Sequence, residues 1–427
     1  MPIRPVNPAM SCSSLPPVPA SISSPVSKSG VILSAVLSLL ISGRPLMRSA
    51  ATTQRYDTWT LLLTFGLVGV GIVMLYSSSA DTAVELTGDH TFFLKRQVVR
   101  ILLGAALLFI CSRLDYHRLK GFAGWLLVGS LILLVITLIV HYATGGEGAG
   151  RWLPVGPISI QPSDFARLSL IIYLAAYMDR KGAHITHFGR GFLPPVAVIG
   201  CTMLLIILEP DFSTAALVGF LGLTMLFLGG ARMKHLAGLS AISLPLLTLV
   251  MMIKPYRRVR IQTFLGLVDS PKAEYQISQS LIGLGNGGWL GQGLGNSVEK
   301  KLFLPAPHTD FVFAIVGEEL GFVGAILLLI AFLWLFQRGI VIARNAPDRF
   351  GMFLALGIVF NFMTYVLVNA SVVTEVLPNT GIPLPLISYG GTHMVFTLIS
   401  LGILLNISSA TRRRGWDRKL VHARARA

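Results

Sequence analysis

The sequence predicts an all-α polytopic membrane protein with about ten transmembrane helices, and three observations support this fold class. Of the 427 residues, 53% are hydrophobic and 13% are charged, whereas a soluble domain carries roughly 25% charged residues. The mean hydropathy is +0.70. Apolar runs of about 18 residues, long enough to cross a bilayer as a helix, recur along the chain. These figures exclude a disordered chain and, despite a net charge of +16, a soluble nucleic-acid-binding protein.

Ten apolar runs are predicted to span the membrane. Backbone groups inside lipid must be hydrogen-bonded within their own segment, which favours helices, and the alternation typical of barrel strands is absent. The fourth run is short and contains Arg167, so we expect it to be tilted or partly lined by water. In chain order the runs are Trp59–Ser77, Val98–Cys111, Gly121–His141, Asp164–Met178, Phe192–Leu208, Thr214–Gly230, Leu236–Ile253, Leu320–Ile340, Gly351–Thr374 and Thr392–Ser408.

The loops between these runs differ in charge, and this difference sets the predicted orientation. Short cytoplasmic loops are enriched in Lys and Arg. Loops rich and poor in these residues alternate without a break, so both termini are expected in the cytoplasm. The exception is the loop at residues 254–310, which must lie outside and yet carries seven basic residues. Because long loops escape the charge rule, the predicted topology stands.

The two ends of the chain are predicted to flank a membrane domain at residues 56–408. Residues 1–55 are interpreted as a disordered extension rich in Pro and Ser, whose apolar run Val31–Ile41 is too short to span. We expect the true start at Met47, and the alternative is a regulatory cytoplasmic tail. Residues 409–427 are predicted to form a basic cytoplasmic tail whose charges keep the C-terminus on the cytoplasmic side. The alternative role of this tail is to contact anionic lipid or a protein partner.

Polar segments punctuated by Gly and Pro fall on the predicted outer face. Connections between helices are usually about 4–6 residues long, so a loop as long as 254–310 is expected to be functional. Its stretch Gly283–Gly295 lacks the Gly-Lys-Ser/Thr ending of a phosphate-binding loop, and we expect tight turns and close packing there instead. The other segments are Arg151–Arg167, Glu209–Asp211 and Pro383–Gly391.

Several short motifs in these segments occur together in one known family. They are Arg151-Trp152, Gln161-Pro162-Ser163, Glu209-Pro210-Asp211, Tyr275-Gln276, Gln279-Ser280, His308-Thr309-Asp310-Phe311, Gly317-Glu318-Glu319-Leu320-Gly321 and Ile387-Ser388-Tyr389-Gly390-Gly391. In this order, from about Tyr56 to Ile407, they resemble the signature of the SEDS family (shape, elongation, division and sporulation). The stretch Gln292–Ser297 is more similar to the division member of the family than to its elongation member.

The resemblance implies a ten-helix fold and a peptidoglycan glycosyltransferase. Such enzymes polymerise lipid II on the outer face of the bacterial cytoplasmic membrane. Their partners are a class B penicillin-binding protein, which is the transpeptidase, and other division or elongation proteins. The essential external aspartate of the family corresponds to Asp310. The chain has no soluble domain with a Ser-x-x-Lys nucleophile, so cross-linking is assigned to the partner.

Asp310 is also a candidate general base on chemical grounds. Polymerisation requires a sugar hydroxyl to attack an anomeric carbon while a lipid pyrophosphate leaves, and a carboxylate beside that hydroxyl can accept its proton. Cations must stabilise the charge that builds on the pyrophosphate, and Arg257, Arg258 and Arg260 offer forked donors for phosphate oxygens. The alternative role for Asp310 is that of N-cap of the eighth membrane helix.

Further polar residues are assigned to the substrate site. Arg151 is expected to bind pyrophosphate or a carboxylate. Arg167 is expected to pair with Asp164, Asp211 or Glu209, and the alternative is an ion pair that only fixes helix packing. Glu318, eight residues after Asp310, is expected either to line the same cavity or, like Glu319, to bind a backbone group or a basic residue. The remaining candidate contacts are Gln161, Ser163, Asp211, Gln276, Gln279, His308, Ser388 and Tyr389.

The cofactor and the exact activity are left open by the motifs. A divalent cation, Mg²⁺ or Mn²⁺, is a family-level expectation, since His308 and Asp310 alone are too few ligands to define a metal site. A transporter that flips lipid II would also place polar residues inside spans, although no internal repeat supports it. A non-catalytic division scaffold is the third interpretation.

Overall fold

The computed structural model describes residues 56–143, 150–155, 158–268, 271–300, 304 and 307–424. The predicted N-terminal extension, residues 1–55, lies outside the described residues. Helices form almost all of the regular structure. They are α1 Thr58–Thr87, α2 Phe92–Arg113, α3 His117–Ala143, α4 Pro162–Lys181, α5 Leu193–Leu208, α6 Phe212–Leu228, α7 Met233–Ile253, α8 Pro255–Phe264, α9 Pro271–Gly287, α10 Val312–Arg344, α11 Arg349–Val373 and α12 Gly391–Arg424.

All ten predicted spans coincide with helices, namely α1–α7 and α10–α12. Seven of the described helices are long and apolar enough to cross a membrane, so the chain is a polytopic membrane protein. Among the other three, α6 is apolar but only 17 residues long, and α2 and α4 carry several charged residues. The count of ten spans therefore stays a prediction.

Two differences from the predicted all-α architecture are local. Strands β1 (Leu153–Val155) and β2 (Ile158–Ile160) pair antiparallel with Leu153 opposite Ile160, a short hairpin that the sequence analysis missed. Each strand is only three residues long, too short for its alternation to be recognised. The predicted tail at residues 409–427 continues α12 as a helix to Arg424.

Side-chain caps begin the membrane helices α6 and α11. The Asp211 carboxylate accepts from Thr214 N at 3.2 Å and begins α6, and the Asp348 carboxylate accepts from Gly351 N at 2.9 Å and begins α11. Pro162 occupies the first position of α4, where its missing N–H costs no helical hydrogen bond. These caps fix where the polar segments turn into the membrane helices.

The core lies around α4, most of whose residues are buried, and α4 packs against α3 and α11. α2 and α12 pack along a stripe of small residues. A Cβ at Gly104 would lie 2.6 Å from Leu398, and one at Gly402 would lie 2.5 Å from the Leu108 carbonyl oxygen, so only glycine allows this approach. In contrast, α7 is peripheral, and Leu236 is its one buried residue.

Candidate functional site

Asp310 lies in the turn before α10, where two other segments hold its main chain. The Asn369 side-chain amide of α11 donates to the carbonyl oxygens of Asp310 and Ile382, both at 2.8 Å. Gly381 lies beside the carboxylate, because a Cβ added there would be 3.4 Å from Asp310 Oδ2. The Asp310 turn is therefore tied both to α11 and to the segment that leads into α12.

The alternative role of Asp310 as a helix cap is wrong. α10 begins at Val312, its N-cap is Phe311, and no side chain caps this end of the helix. The helix starts one residue later than a cap at Asp310 would require. The Asp310 carboxylate is therefore left for another role.

Two arginines face the Asp310 carboxylate. Burial raises the pKa of Asp310 above its ordinary value of 3.8, and the charges of Arg151 and Arg260, with a hydrogen bond from Thr309, offset part of this increase. A carboxylate with a raised pKa is a stronger proton acceptor than an exposed one. The flanking cations can also stabilise negative charge on a ligand.

The three arginines predicted to bind pyrophosphate diverge on α8. Arg260 Nη1 donates to the Asn379 carbonyl at 2.8 Å, and the Asn379 amide donates to Gln276 Oε1 at 2.7 Å. Arg257 is buried, with its guanidinium 5.5 Å from the centre of the Phe212 ring. Arg258 is exposed. Of the three, Arg260 is the one whose charge lowers the pKa of Asp310.

The side chains of Arg151 and Gln161 meet at the Asp211 carboxylate. Of the two partners expected for Arg151, a pyrophosphate or a carboxylate, Asp211 is thus a carboxylate within the protein. Arg151 Nη1 lies 3.9 Å from Asp211 Oδ2, and Gln161 Nε2 donates to the same oxygen at 3.1 Å. Ser163 is fully buried at the start of α4, and its hydroxyl has no hydrogen-bond partner among the described residues. Gln279 is half-buried on α9.

Arg167 is the centre of a buried polar network between α4, α11 and α12. Its Nη2 lies 3.1 Å from Asp164 Oδ1 and 3.3 Å from His393 Nδ1, and its Nη1 donates to the Tyr365 hydroxyl. Thr392 Oγ1 donates to Asp164 Oδ2 at 3.0 Å. The predicted Asp164 partner is confirmed. Sequence reasoning missed Tyr365 and His393, although a histidine inside a span is itself a signal.

The cavity beside this network holds about 10 Å³, enough for roughly one water molecule. A sugar does not fit there. The cavity is therefore too small for the substrate. The Arg167 network instead supports the helices around the Asp310 turn.

Glu318 lies on α10, which begins two residues after Asp310. Its carboxylate accepts from the Ser297 hydroxyl and, at 2.8 Å, from Val298 N. The alternative, a bond to a backbone group, is confirmed. Glu318 fastens the end of the external loop to α10.

Glu319 pairs with a basic residue, as the alternative also stated. Lys300 Nζ lies 3.0 Å from Glu319 Oε1. Next to it the glycine-rich stretch packs directly on α10. A Cβ at Gly291 would lie 2.2 Å from the Glu319 carbonyl oxygen, and Gly321 has φ +69° where the two backbones meet. Close packing of the glycines, predicted from the sequence, is confirmed here.

His308 and Tyr389 belong to an aromatic cluster next to the Asp310 turn. The His308 ring lies 4.4 Å from Phe93 and 5.6 Å from Tyr389, and Tyr389 N donates to the His308 carbonyl at 2.8 Å. Burial lowers the pKa of His308 to about 4, so this ring is neutral at pH 7. The Ser388 hydroxyl accepts from Leu384 N at 2.9 Å and holds the turn before α12.

A divalent cation would not find a complete protein site near Asp310. Among the described residues, no group of three or more His, Cys, Asp or Glu side chains is placed to hold a metal ion. The His308 ring packs against Phe93 and Tyr389, and its Nδ1 has no hydrogen-bond partner among the described residues. The protein groups around Asp310 therefore do not by themselves fit a metal, and we assign no step to one.

Glu209 provides a pH-dependent prediction. Neither of its buried carboxylate oxygens has a hydrogen-bond partner among the described residues, and burial, together with the charge of Asp211, raises its pKa to about 8. Its ordinary pKa is 4.5, so between these values the folded state keeps a proton that the unfolded state has lost. Stability therefore falls as the pH rises through this interval.

We expect Glu209→Gln to remove this penalty. The variant should be more stable than the wild type by ~3 kcal/mol at pH 7, and the gain should vanish at pH 4.5. Unfolding in detergent at several pH values measures the difference. Glu85→Gln, on an exposed part of α1, is the control and should leave the pH dependence unchanged. Parallel stability curves for wild type and Glu209→Gln would contradict the raised pKa.

Comparison with known proteins identifies similar sequences and folds. The family model described as cell cycle protein, covering FtsW, RodA and SpoVE, matches residues 58–413. The chain is 39% identical over 363 residues to the probable peptidoglycan glycosyltransferase FtsW of Geobacter metallireducens, covering 85% of this chain and 96% of that protein. It is also 39% identical over 357 residues to the stage V sporulation protein E of Bacillus subtilis, covering 83% and 98%.

Two solved structures are similar to this chain in fold. A peptidoglycan synthase complex that coordinates polymerisation and cross-linking contains a chain with a TM-score of 0.68 and 30% identity, covering 84% of this chain and 98% of that one. The rod shape determining protein RodA of Thermus thermophilus has a TM-score of 0.61 and 28% identity, covering 84% and 97%. The motifs and the fold thus agree.

Proposed function

Because the chain belongs to the cell cycle protein family of FtsW, RodA and SpoVE, we propose that it is a peptidoglycan glycosyltransferase that polymerises lipid II into glycan strands. The observation that carries this proposal is the Asp310 turn. Its carboxylate has a raised pKa, does not cap α10, and is faced by Arg151 and Arg260. A proton acceptor flanked by cations is what glycosyl transfer from a pyrophosphate requires.

The reaction proceeds by displacement at the anomeric carbon of one lipid-linked sugar. The hydroxyl of a second sugar loses its proton to the Asp310 carboxylate and forms the new bond to that carbon. The bond from the carbon to the pyrophosphate breaks, and the electron pair leaves with the pyrophosphate. Arg151 and Arg260 stabilise the charge that develops during transfer.

The proposed setting is the bacterial cytoplasmic (inner) membrane, with ten spans and both termini in the cytoplasm. The 254–310 loop and Asp310 then face outward, where lipid II is polymerised. The process served is cell division or the maintenance of cell shape.

The proposed partner is a class B penicillin-binding protein that cross-links the strands. The similarity to a chain of a synthase complex that couples polymerisation and cross-linking supports this partner. Other division or elongation proteins complete the assembly. The family-level expectation of a dependence on Mg²⁺ or Mn²⁺, for which the described residues offer no complete protein site, is tested by adding a chelator to the polymerisation assay.

Reconstitution separates the enzyme from the alternative functions. The purified chain and its partner, blocked by a β-lactam, are placed in vesicles that contain fluorescent lipid II. We expect glycan strands on a gel. If lipid II crossed the bilayer without forming strands, the chain would be a transporter. If a correctly folded chain did neither, it would be a scaffold.

A further inference from the structure

One face of α2 carries an arginine that the site described above does not use. Phe93, Gln97 and Arg100 stand at i, i+4 and i+7, so they share one side of the helix. The Phe93 ring lies 5.2 Å from Tyr389, and Gln97 Nε2 donates to the Ser388 carbonyl at 3.3 Å. The Arg100 guanidinium lies 4.7 Å from the centre of the Tyr389 ring.

This face of α2 is next to the Asp310 turn. Tyr389 N donates to the carbonyl of His308, two residues before Asp310, at 2.8 Å. The rings of His308 and Tyr389 are also in contact, with centroids 5.6 Å apart. Arg100 is therefore linked to the Asp310 turn through Tyr389 and His308.

Arg100 has no negative partner in the part of the chain that the structure describes. It makes no ion pair there, and its Nη1, which is shielded from solvent, has no hydrogen-bond partner. Arg100 is the third residue of the predicted span Val98–Cys111, about 3 Å inside its outer end. A cation shielded from water at this boundary is costly unless it meets an anion, and the face of Tyr389 supplies only part of the compensation.

Arg96 precedes Arg100 by one helical turn. Its guanidinium lies 4.3 Å from the Phe92 ring centre, and it too makes no ion pair with a described carboxylate. Lys95 differs, because its Nζ lies 2.8 Å from Asp89 Oδ2. Within the described part of the chain, Arg96 and Arg100 therefore lack a countercharge on successive turns of α2, whereas the neighbouring Lys95 has one.

We propose that Arg100, assisted by Arg96, binds the pyrophosphate of the lipid-linked sugar, an assignment that rests on the proposed function. Side chains at i and i+4 have Cβ atoms about 5–6 Å apart, so two guanidinium groups can each meet one phosphoryl group of a diphosphate. The contact with the Tyr389 ring holds the Arg100 guanidinium beside the Asp310 turn. A phospholipid headgroup has the same phosphate chemistry but only one phosphoryl group.

Binding to the full-length chain in nanodiscs tests the proposal without depending on activity. The probes are polyprenyl pyrophosphate, polyprenyl monophosphate and phosphatidylglycerol. We expect Arg100→Met to weaken pyrophosphate binding by about tenfold or more, Arg100→Lys to weaken it less, and phosphatidylglycerol binding to change little. Lys95→Met is the matched control and should bind pyrophosphate like the wild type. Arg100→Met should also raise KM for lipid II.

Three outcomes would overturn the assignment. The first is unchanged pyrophosphate binding in both Arg100 variants, which would leave Arg100 as a stacking residue only. The second is an equal loss of phosphatidylglycerol binding, which would make the position a general lipid contact. The third is an equal loss in Lys95→Met. The proposed function is tested separately, because a chain that binds pyrophosphate through Arg100 but forms no strands retains this site and refutes the polymerase.

Discussion

Asp310→Asn should lower the rate of lipid II polymerisation by about 10²–10⁴-fold, the usual contribution of a general base. The amide has nearly the shape of the carboxylate but cannot accept the proton of the attacking hydroxyl. Because the main chain at Asp310 is held by Asn369, and because Asp310 does not cap α10, the variant should fold normally. Counting strands made per minute from fluorescent lipid II measures the effect.

The matched control is Asp89→Asn, which alters a surface carboxylate whose partner is Lys95. It should polymerise at the wild-type rate. Gel filtration and thermal unfolding establish that both variants are folded. A folded Asp310→Asn variant that retained more than about a tenth of the rate would exclude the general-base role.

Arg167→Met should destabilise the fold by about 3–5 kcal/mol, since it leaves Asp164 as an uncompensated buried charge. Both side chains are buried, at 4% and 3% exposure, so solvent cannot replace the lost partner. The Tyr365 hydroxyl and His393 lose a donor as well. Unfolding by denaturing detergent gives the difference in free energy.

A double substitution separates the ion pair from simple packing. Asp164→Asn combined with Arg167→Met should recover more than half of the loss, because Asn still accepts from Thr392 but carries no charge. Arg258→Met, on an exposed position of α8, should change stability by less than about 0.5 kcal/mol. If Arg167→Met were as harmless as Arg258→Met, the network would not stabilise the fold.

The features that the sequence predicted correctly are those set by neighbouring residues. Apolar runs placed the seven described helices that are long and apolar enough to cross a membrane, since hydrophobicity over about 18 residues is a local property. The Asp164–Arg167 pair followed from a spacing of three on one helix. The motifs also identified the family, which the family model confirms.

What the sequence could not predict depends on contacts between distant segments. Tyr365 and His393 join Arg167 from two other helices, and no local spacing indicates that they meet. The helix start after Asp310 was also missed, because Asp before an apolar run is a common cap while Phe311 is an unusual one. Arg100 was overlooked because it lies within an apolar stretch of α2 and gains its partner Tyr389 only in the folded chain.

The pH dependence of polymerisation tests the central claim most directly, namely that the Asp310 carboxylate accepts the proton. In the wild type, the rate should rise about tenfold per pH unit on the acidic side and level off above the pKa of Asp310, which lies above 3.8. The residual rate of Asp310→Asn should lack this acidic limb. An acidic limb of the same slope and midpoint in both proteins would show that another group accepts the proton.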